Sequence, residues 1–344
     1  MSAFKQNLAL LTVSVIITGA LCLGALYAGV LVVFDDPRGA SKGLLAPLVP
    51  LARDVYVNGY RAIWQTQREC VRFDPHLLYA PREGECRLTN AEFDVVFNFD
   101  SDGRVGSMVQ GEADTPPVLV LGDSHAMGWG VGDTETFAAV LSRMLDRPVY
   151  NLAVSSYGTA RELLRASAHP ALSAADTVII QYCDNDHGEN LAFLAEGVPT
   201  RTPADFEKLF EYKPTRPRVS FFDLMRSMGR GVASLYRKMG FQSAAAAQAQ
   251  AQAGPAEAFL QVLERYPVLA EKRLIVFESN AFHVMTSFTP SLEAAIEERG
   301  LRNITVLRPE LGAEDNFVLD GHPNEAGHRA LAHQLYAVIT SSAE

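Results

Sequence analysis

The chain has 344 residues, of which 48% are hydrophobic, and a formal net charge of −10. This length and apolar content suffice for one catalytic domain with additional segments around a sizeable core. The acidic balance and the lack of a basic run exclude nucleic acid as the main partner, because phosphate binding needs clustered Lys and Arg.

The first predicted element is an apolar helix. Leu8–Phe34 contains no charged residue, and a helix of that length extends roughly 40 Å, enough to cross a bilayer with some tilt. It exceeds the apolar part of a signal peptide, about 7–15 residues, and no small-residue cleavage site follows it. We expect residues 1–34 to be an uncleaved transmembrane anchor. The flanking charges do not decide its orientation. We favour a bacterial inner membrane with the globular part in the periplasm.

Residues 35–115 are predicted to form a linker and a small β-rich module near the membrane. The alternation in "AEFDVVFNFDSDG" is typical of strands that end in a turn. Cys70 and Cys86 flank a short loop that contains Pro and Gly. A disulfide between them would contribute about 3 kcal/mol and would require an oxidising compartment. Two reduced, buried thiols are the alternative.

Residues 116–344 have the pattern of an α/β domain. Helical patterns separate five short apolar runs, which are Pro116–Gly122, Pro148–Val154, Asp176–Asp186, Lys272–Asn280 and Asn303–Glu310. This alternation predicts a mainly parallel sheet covered by helices on both faces, and 324–340 is a closing amphipathic helix. Residues 187–271 are an insertion after the third strand. Its Ala/Gln-rich part, Ser243–Glu257, is a spacer or a loosely held helix, and its aromatic flanks either cover the site or have no role.

Polar residues follow the predicted strands at the edge where open parallel sheets bind ligands. Ser124 follows the first strand, Asn185 the third, and Asp320 and His322 the fifth. A serine hydroxyl becomes nucleophilic when a neutral histidine takes its proton and a carboxylate orients that histidine. The Ser124 backbone N–H, the Asn185 amide and an N–H of the turn after the second strand would stabilise an oxyanion. Each residue alone has a simpler interpretation as a cap or turn former, but the ordered set favours acyl transfer.

The sequence contains no zinc signature, phosphate loop or dinucleotide fingerprint. We therefore expect neither a metal nor an organic cofactor. His125, directly after the candidate nucleophile, either contacts substrate or fills the turn.

Four blocks resemble those of the SGNH/GDSL hydrolase superfamily, in order over roughly the last two thirds of the chain: "VLVLGDSHAMGWGVGDTETF", "NLAVSSYGT", "CDND" and "DGHPNEAGH". The resemblance implies a flavodoxin-like three-layer α/β/α sandwich with a mainly parallel sheet. It also implies that Ser124, His322 and Asp320 form a catalytic triad and that Asn185 contributes to the oxyanion hole.

Two departures from the family pattern affect the site. Ser156 stands where the second block usually has glycine, and Gly158 follows two residues later. The backbone donor of this turn is therefore Ser156 or Gly158. Cys183 stands where the third block commonly has glycine.

The spacing Asp-x-His and the histidine after the serine resemble polysaccharide acetyltransferases, and residues 73–103 resemble the preface of membrane-linked bacterial members. The sequence thus predicts a membrane-anchored serine esterase or O-acyltransferase. Its expected substrate is an O-acyl, mainly acetyl, ester of an envelope or exported glycan. One alternative is a lipid-directed esterase or thioesterase. Another is a non-catalytic glycan-binding assembly protein, which a long distance between Ser124 and His322 would favour.

Overall fold

The structure is a computed structural model that describes residues 3–106, 115–212, 219–238 and 253–341. Residues 243–252 of the predicted Ala/Gln spacer lie outside these ranges. Contacts group the chain into two compact units. The first unit comprises Met1–Arg61, Pro214–Ser243 and Val318–Asp320, and the second comprises Ala62–Lys213, Ala244–Phe317 and Gly321–Glu344.

The secondary structure of the described residues alternates between helices and short strands in the second half of the chain. The α-helices are α1 (Ala3–Asp35), α2 (Pro37–Lys42), α3 (Val49–Gly59), α4 (Ser124–Met127), α5 (Phe137–Leu145), α6 (Thr159–Ser167), α7 (Ala171–Ala174), α8 (Asp186–Glu196), α9 (Pro203–Glu207), α10 (Phe221–Lys238), α11 (Pro255–Glu264), α12 (Phe288–Arg299) and α13 (Glu325–Ser341). The strands are β1 (Val71–Asp74), β2 (Leu78–Pro81), β3 (Gly84–Thr89), β4 (Asp94–Asp100), β5 (Gly103–Arg104), β6 (Val118–Leu121), β7 (Val149–Asn151), β8 (Thr177–Tyr182), β9 (Arg273–Glu278) and β10 (Ile304–Leu307).

The central sheet of the second unit has the strand order β10-β9-β8-β6-β7, and every pairing in it is parallel. In chain order this is the flavodoxin-like arrangement 2-1-3-4-5 read from β7. The topological switch point therefore lies between β6 and β8, where Val120 is in register with Ile179. Ligands bind outside the carboxyl ends of the strands at such a point.

Helices cover both faces of this sheet because nearly every strand residue is apolar. Val118 and Val120 point into one core, which they share with residues of α5 and α13. Leu119 and Leu121 point into the other core, which they share with residues of α6, α11 and α12. The predicted three-layer α/β/α sandwich is thus confirmed. α11 lies inside the predicted insertion 187–271, yet its Phe259 is fully buried in the second core.

Two small antiparallel β elements precede the sheet in the second unit. β1 pairs with β2, and β3, β4 and β5 form a three-stranded sheet. Phe97 and Phe99 of β4 are buried in the same core as Val118. Cys70 and Cys86 form a disulfide with 5.1 Å between their Cα atoms.

The first unit consists of helices. Within the described residues, α1 is long and apolar enough to cross a membrane, with a mean hydropathy of 2.3 over its apolar window. Its last turns are buried at Val30 and Val33, together with Val55 and Tyr56 of α3 and Leu224 of α10. α3 ends at Gly59, and a single 3₁₀ turn at Trp64–Thr66 lies between it and β1.

Candidate active site

The turn between β6 and α4, residues Gly122–Ser124, carries the predicted nucleophile. Gly122 has φ +151°, and a Cβ there would lie 2.6 Å from the Cβ of Ala126, so the turn requires glycine. The Asp123 carboxylate caps α4 by accepting a hydrogen bond from the backbone N–H of His125 at 2.9 Å. The Gln181 side-chain oxygen, from β8, accepts from the backbone N–H of Asp123 at 3.0 Å. These contacts place Ser124 at the carboxyl end of β6.

Ser124 and His322 form the central contact of the site. Ser124 Oγ lies 2.8 Å from His322 Nε2, and both residues are buried. The imidazole of His322 stacks on the indole of Trp129, with 5.2 Å between ring centroids and 23° between ring planes. The ring of His125 lies 4.3 Å away. Packing against two rings restricts the imidazole, and the hydrogen bond matches the geometry that a general base needs to accept the serine proton.

The loop that carries His322 is closed by backbone hydrogen bonds. Phe317 N–H donates to the His322 carbonyl at 2.9 Å, and Gly321 N–H donates to the Phe317 carbonyl at 3.0 Å. Gly321 has φ +82°, and a Cβ there would lie 2.5 Å from the ring of Phe282. The glycine in "DGH" therefore allows the tight loop that presents the histidine.

Asp320, the predicted acid of the triad, is grouped with the first unit by its contacts. Its side chain is fully buried. The Tyr56 hydroxyl donates to Asp320 Oδ2 at 2.8 Å, and Arg61 Nε lies 3.5 Å from the same oxygen. The role of Asp320 as the acid remains a prediction.

The turn Val154–Tyr157 follows β7 and holds the first predicted backbone donor. Ser156 adopts a left-handed conformation with φ +61°, which is uncommon for a residue other than glycine. The side chain of Gln65 bridges this turn: its Nε2 donates to Ser156 Oγ at 2.8 Å, and its Oε1 accepts from Ser155 Oγ at 3.0 Å. The Tyr79 hydroxyl donates to the Ser155 carbonyl at 2.6 Å.

Two further predicted contributors to the oxyanion hole lie beside this turn. The side-chain amide of Asn185, the residue before α8, donates to the Tyr157 carbonyl at 3.4 Å. Gly158 precedes α6, and a Cβ there would lie 3.2 Å from the Cα of Asp186. The close approach of the two helices explains a small residue at position 158. The structure therefore brings Ser156, Gly158 and Asn185 into one neighbourhood.

His125 is buried, and its Nδ1 lies 3.0 Å from the Ser279 hydroxyl at the end of β9. Ligand atoms of Asp123, His125 and Cys183 lie within 4.8 Å of one another in the described structure. Burial, with added repulsion from Asp123, raises the pKa of the Cys183 thiol, and its Sγ lies 3.2 Å from Asn280 Oδ1.

Burial raises the pKa of the Asp123 carboxyl to about 6, although hydrogen bonds from the backbone of His125 and from Cys183 act against that increase. Asp123 is thus ionised above about pH 6, where its carboxylate caps α4 most strongly. The start of α4 bears the nucleophile, so the charge of Asp123 bears on the geometry of the site.

Four residues of the site were not found from the sequence. Trp129 lies inside the quoted "GDSHAMGWG" block, and an aromatic residue five positions after the candidate nucleophile was a usable signal. Gln181 and Ser279 lie in or at the end of strands and carry no motif. Gln65 is 90 residues from Ser155 in the chain, and nothing local marks it.

The fold and the Ser124–His322 pair define an α/β protein with a serine–histidine couple at the switch point of a flavodoxin-like sheet. The chain matches no family model and no curated protein. Solved structures that the chain resembles include a member of the lipolytic protein G-D-S-L family from Veillonella parvula, with 13% identity, 66% of this chain and 98% of that chain covered, and a TM-score of 0.38.

A family two carbohydrate esterase from Clostridium thermocellum in complex with cellohexaose matches with 12% identity, 66% and 64% coverage and a TM-score of 0.38. A carbohydrate acetylesterase family member from Sinorhizobium meliloti matches with 12% identity, 66% and 98% coverage and a TM-score of 0.34. These are proteins that the chain resembles. The chemistry of the candidate site rests on the geometry of this chain's own residues.

Proposed function

We propose that the chain is a membrane-anchored serine esterase or O-acyltransferase of the SGNH type. The observation that carries this proposal is the 2.8 Å contact between Ser124 Oγ and His322 Nε2 at the switch point of the sheet. A non-catalytic binding protein has no need for this contact in a buried setting. The predicted substrate is an O-acyl, mainly acetyl, ester of an envelope or exported glycan.

The reaction begins when Ser124 Oγ attacks the ester carbonyl carbon and His322 Nε2 takes the serine proton. The bond between the carbonyl carbon and the leaving oxygen then breaks, and His322 returns the proton to that oxygen. Water or a glycan hydroxyl attacks the acyl carbon, with His322 again taking the proton. The bond between that carbon and Ser124 Oγ then breaks, and return of the proton from His322 to Ser124 Oγ regenerates the enzyme. Asp320, two residues before His322 in the chain, has the role of orienting the imidazole.

The negative charge on the carbonyl oxygen in the transition state needs donors already in place. The backbone N–H of Ser124, the Asn185 amide and the backbone N–H of Ser156 or Gly158 have this role in the proposal. Its support is that the Asn185 amide already donates to the carbonyl of Tyr157, the residue between Ser156 and Gly158.

The cellular setting follows from the N-terminal half. α1 has the length and hydropathy of a membrane span, and the disulfide between Cys70 and Cys86 suits an oxidising compartment. We place the catalytic part in the periplasm of a bacterium, with α1 in the inner membrane. The acetylated glycan is proposed because the Asp-x-His spacing and the histidine after the nucleophile resemble polysaccharide acetyltransferases.

The test uses the full chain in detergent micelles and its Ser124→Ala variant. Both are incubated with a small acetyl ester, and with acetylated and deacetylated glycans plus an acetyl donor, while acetyl release and transfer are followed. We expect a loss of about 10⁴-fold or more in the variant with an unchanged circular dichroism spectrum. Ser173→Ala, which removes an exposed hydroxyl on α7, is the matched control. Full activity of Ser124→Ala would overturn the mechanism.

A further inference from the structure

One face of α1 becomes covered in its last turns. Residues 5–22 are exposed, whereas further along Val30 and Val33 are completely buried and Leu31 and Val32 stay exposed. The first 19 residues of the uncharged stretch, from Leu8 to Leu26, precede this covered part and extend roughly 28 Å, close to the hydrocarbon thickness of a bilayer of about 30 Å. If α1 spans the membrane, as the proposed function holds, the membrane surface lies near Tyr27.

Two other segments of the first unit reach this level of α1. The Tyr27 hydroxyl donates to the Val219 carbonyl at 2.7 Å, and its ring packs edge-on against Phe221, with centroids 5.9 Å apart. On α1, Gly29 is in close contact with Leu48, and a Cβ at Gly29 would collide with that side chain. The start of α10 and the residues after α2 therefore flank α1 at Tyr27–Gly29.

Large apolar side chains are exposed in both segments. Leu44 is 96% exposed and Phe222 is 76% exposed, while Phe221 and Met225 are each 38% exposed. Isolated exposed apolar residues are ordinary on soluble surfaces, but a group of them at one level beside a membrane helix indicates an interaction site.

The exposed face of α10 is fixed in its orientation. Its opposite face is buried at Leu224 and Ser227. An ion pair joins Arg230 to Asp54 of α3 at 2.5 Å. The Tyr60 hydroxyl donates to the Asp223 carboxylate at 2.6 Å. With these contacts in place, Phe222 cannot turn inward. The exposed Arg226 follows the apolar side chains on the same face, an arrangement typical of helices that lie in a membrane interface.

We propose that Leu44, Phe221, Phe222 and Met225 insert into the lipid interface of the same bilayer that α1 crosses. This second contact rests on the proposed membrane anchoring and goes beyond it. A single span leaves the attached unit free to rotate and tilt about one axis. Insertion of apolar side chains on either side of α1 fixes the orientation of the first unit against the membrane. The occupant of this apolar surface is thus the acyl-chain boundary of the lipid, not a protein.

The experiment measures quenching of a new tryptophan by lipid. Phe222→Trp and, independently, Leu44→Trp are made in the full chain and reconstituted in phosphatidylcholine vesicles with or without a mixture of lipids brominated near the headgroup end and near the terminal methyl end of the acyl chains. Wild type supplies the background from Trp64 and Trp129, which are buried. Val198→Trp, at a 42% exposed position of the second unit, is the control for lipid-independent effects. Ile16→Trp, on the exposed part of α1, reports the anchor.

We expect the brominated lipid to remove most of the added emission of the variants at positions 16, 44 and 222, and none at position 198. Quenching at position 16 without quenching at 44 and 222 would overturn the second contact and leave the anchor intact. A blue-shifted but unquenched emission at 222 would also overturn it, since a protein would then cover the surface. Loss of quenching at position 16 would reject the anchoring on which the inference rests.

Discussion

The turns Gly122–Ser124 and Val154–Tyr157 follow neighbouring strands of one sheet, yet different parts of the chain hold them. The first is fixed by its own capping carboxylate and by Gln181 of β8. The second is held from outside the sheet by Gln65 and Tyr79. Each turn includes a residue with positive φ, a glycine in the first and Ser156 in the second.

This difference shows two ways to hold a backbone turn at the carboxyl end of a strand. At Gly122 the conformation is accessible because glycine lacks a side chain, so local sequence suffices. At Ser156 a side chain is present, so the left-handed backbone conformation is unfavourable. In this conformation the Ser156 hydroxyl accepts a hydrogen bond from the side chain of Gln65. A departure from the family pattern in one block thus coincides with a contact from a segment that precedes the sheet.

Of the two turns, the larger effect is expected at the one whose backbone conformation requires glycine. Gly122→Ala places a methyl group 2.6 Å from Ala126 Cβ and 2.7 Å from Gln181 Oε1. We expect the free energy of unfolding to fall by about 2–4 kcal/mol through strain and overpacking. We expect ester hydrolysis to fall by about 100-fold, because Ser124 shifts. Urea unfolding and acetyl ester hydrolysis measure the two effects.

The control for this variant is Gly188→Ala on α8, where a Cβ meets no atom within 4 Å. That change should leave activity intact and stabilise the helix slightly. If Gly122→Ala had wild-type stability and activity, the turn would tolerate a side chain. The two turns would then not differ in the way described.

A smaller effect is expected where a remote side chain holds the turn. Gln65→Ala removes both hydrogen bonds to Ser155 and Ser156. We expect kcat to fall by about 10-fold to 100-fold with little change in KM, because an oxyanion donor acts mainly on the transition state. Steady-state hydrolysis of a small acetyl ester separates the two constants.

Gln67→Ala is the matched control, since Gln67 lies in the same segment and contacts the Ile63 carbonyl at 3.5 Å instead of the turn. Gln65→Glu retains two oxygens that can accept from the two serine hydroxyls, and it should recover part of kcat. An unchanged kcat in Gln65→Ala would show that the turn keeps its shape without the bridge.

The sequence predicts those parts of the fold and of the candidate site that depend on local sequence patterns. The five strands of the sheet appear as short apolar runs because helices cover both faces, and the polar residues at their ends indicated Ser124 and His322, which the structure brings together. The turn at Gly122 and the loop at Gly321 both require glycine, and both glycines lie within the quoted sequence motifs.

The rest depends on contacts between segments that are distant in the chain. Gln65 reaches Ser155 across 90 residues, and Tyr56 reaches Asp320 across 264. Contacts between residues so far apart in the chain cannot be recognised from a single sequence. The helix α11 was assigned to an insertion because the Ala/Gln-rich stretch before it conceals where the core pattern resumes.

The smallest effect concerns two carboxyl groups beyond the second turn. Glu162 of α6 and Asp186 of α8 are buried, and the Thr159 hydroxyl donates to Asp186 at 2.7 Å. Within the described structure, neither oxygen of the Glu162 carboxyl has a hydrogen-bond partner. Burial, together with the charge of Asp186, raises the pKa of Glu162 well above its ordinary value. The turn Gly122–Ser124 has one buried carboxylate that caps a helix, whereas the second turn is followed by two buried carboxyl groups, of which Glu162 has no hydrogen-bond partner in the described structure.

The raised pKa gives a signed expectation for stability. The folded state holds a proton on Glu162 that the unfolded chain releases near pH 4.3. Wild-type stability is therefore lost as pH rises from that value through the folded pKa. Glu162→Gln has the shape of the protonated side chain and no charge to bury. We expect its gain in unfolding free energy over wild type to be near zero at pH 4 and to grow towards pH 8. Urea unfolding across this range, with the exposed Glu298→Gln as control, measures it. An equal gain in unfolding free energy at pH 4 and at pH 8 would contradict the raised pKa of Glu162. The two turns would then not differ in their buried carboxyl groups in the way described.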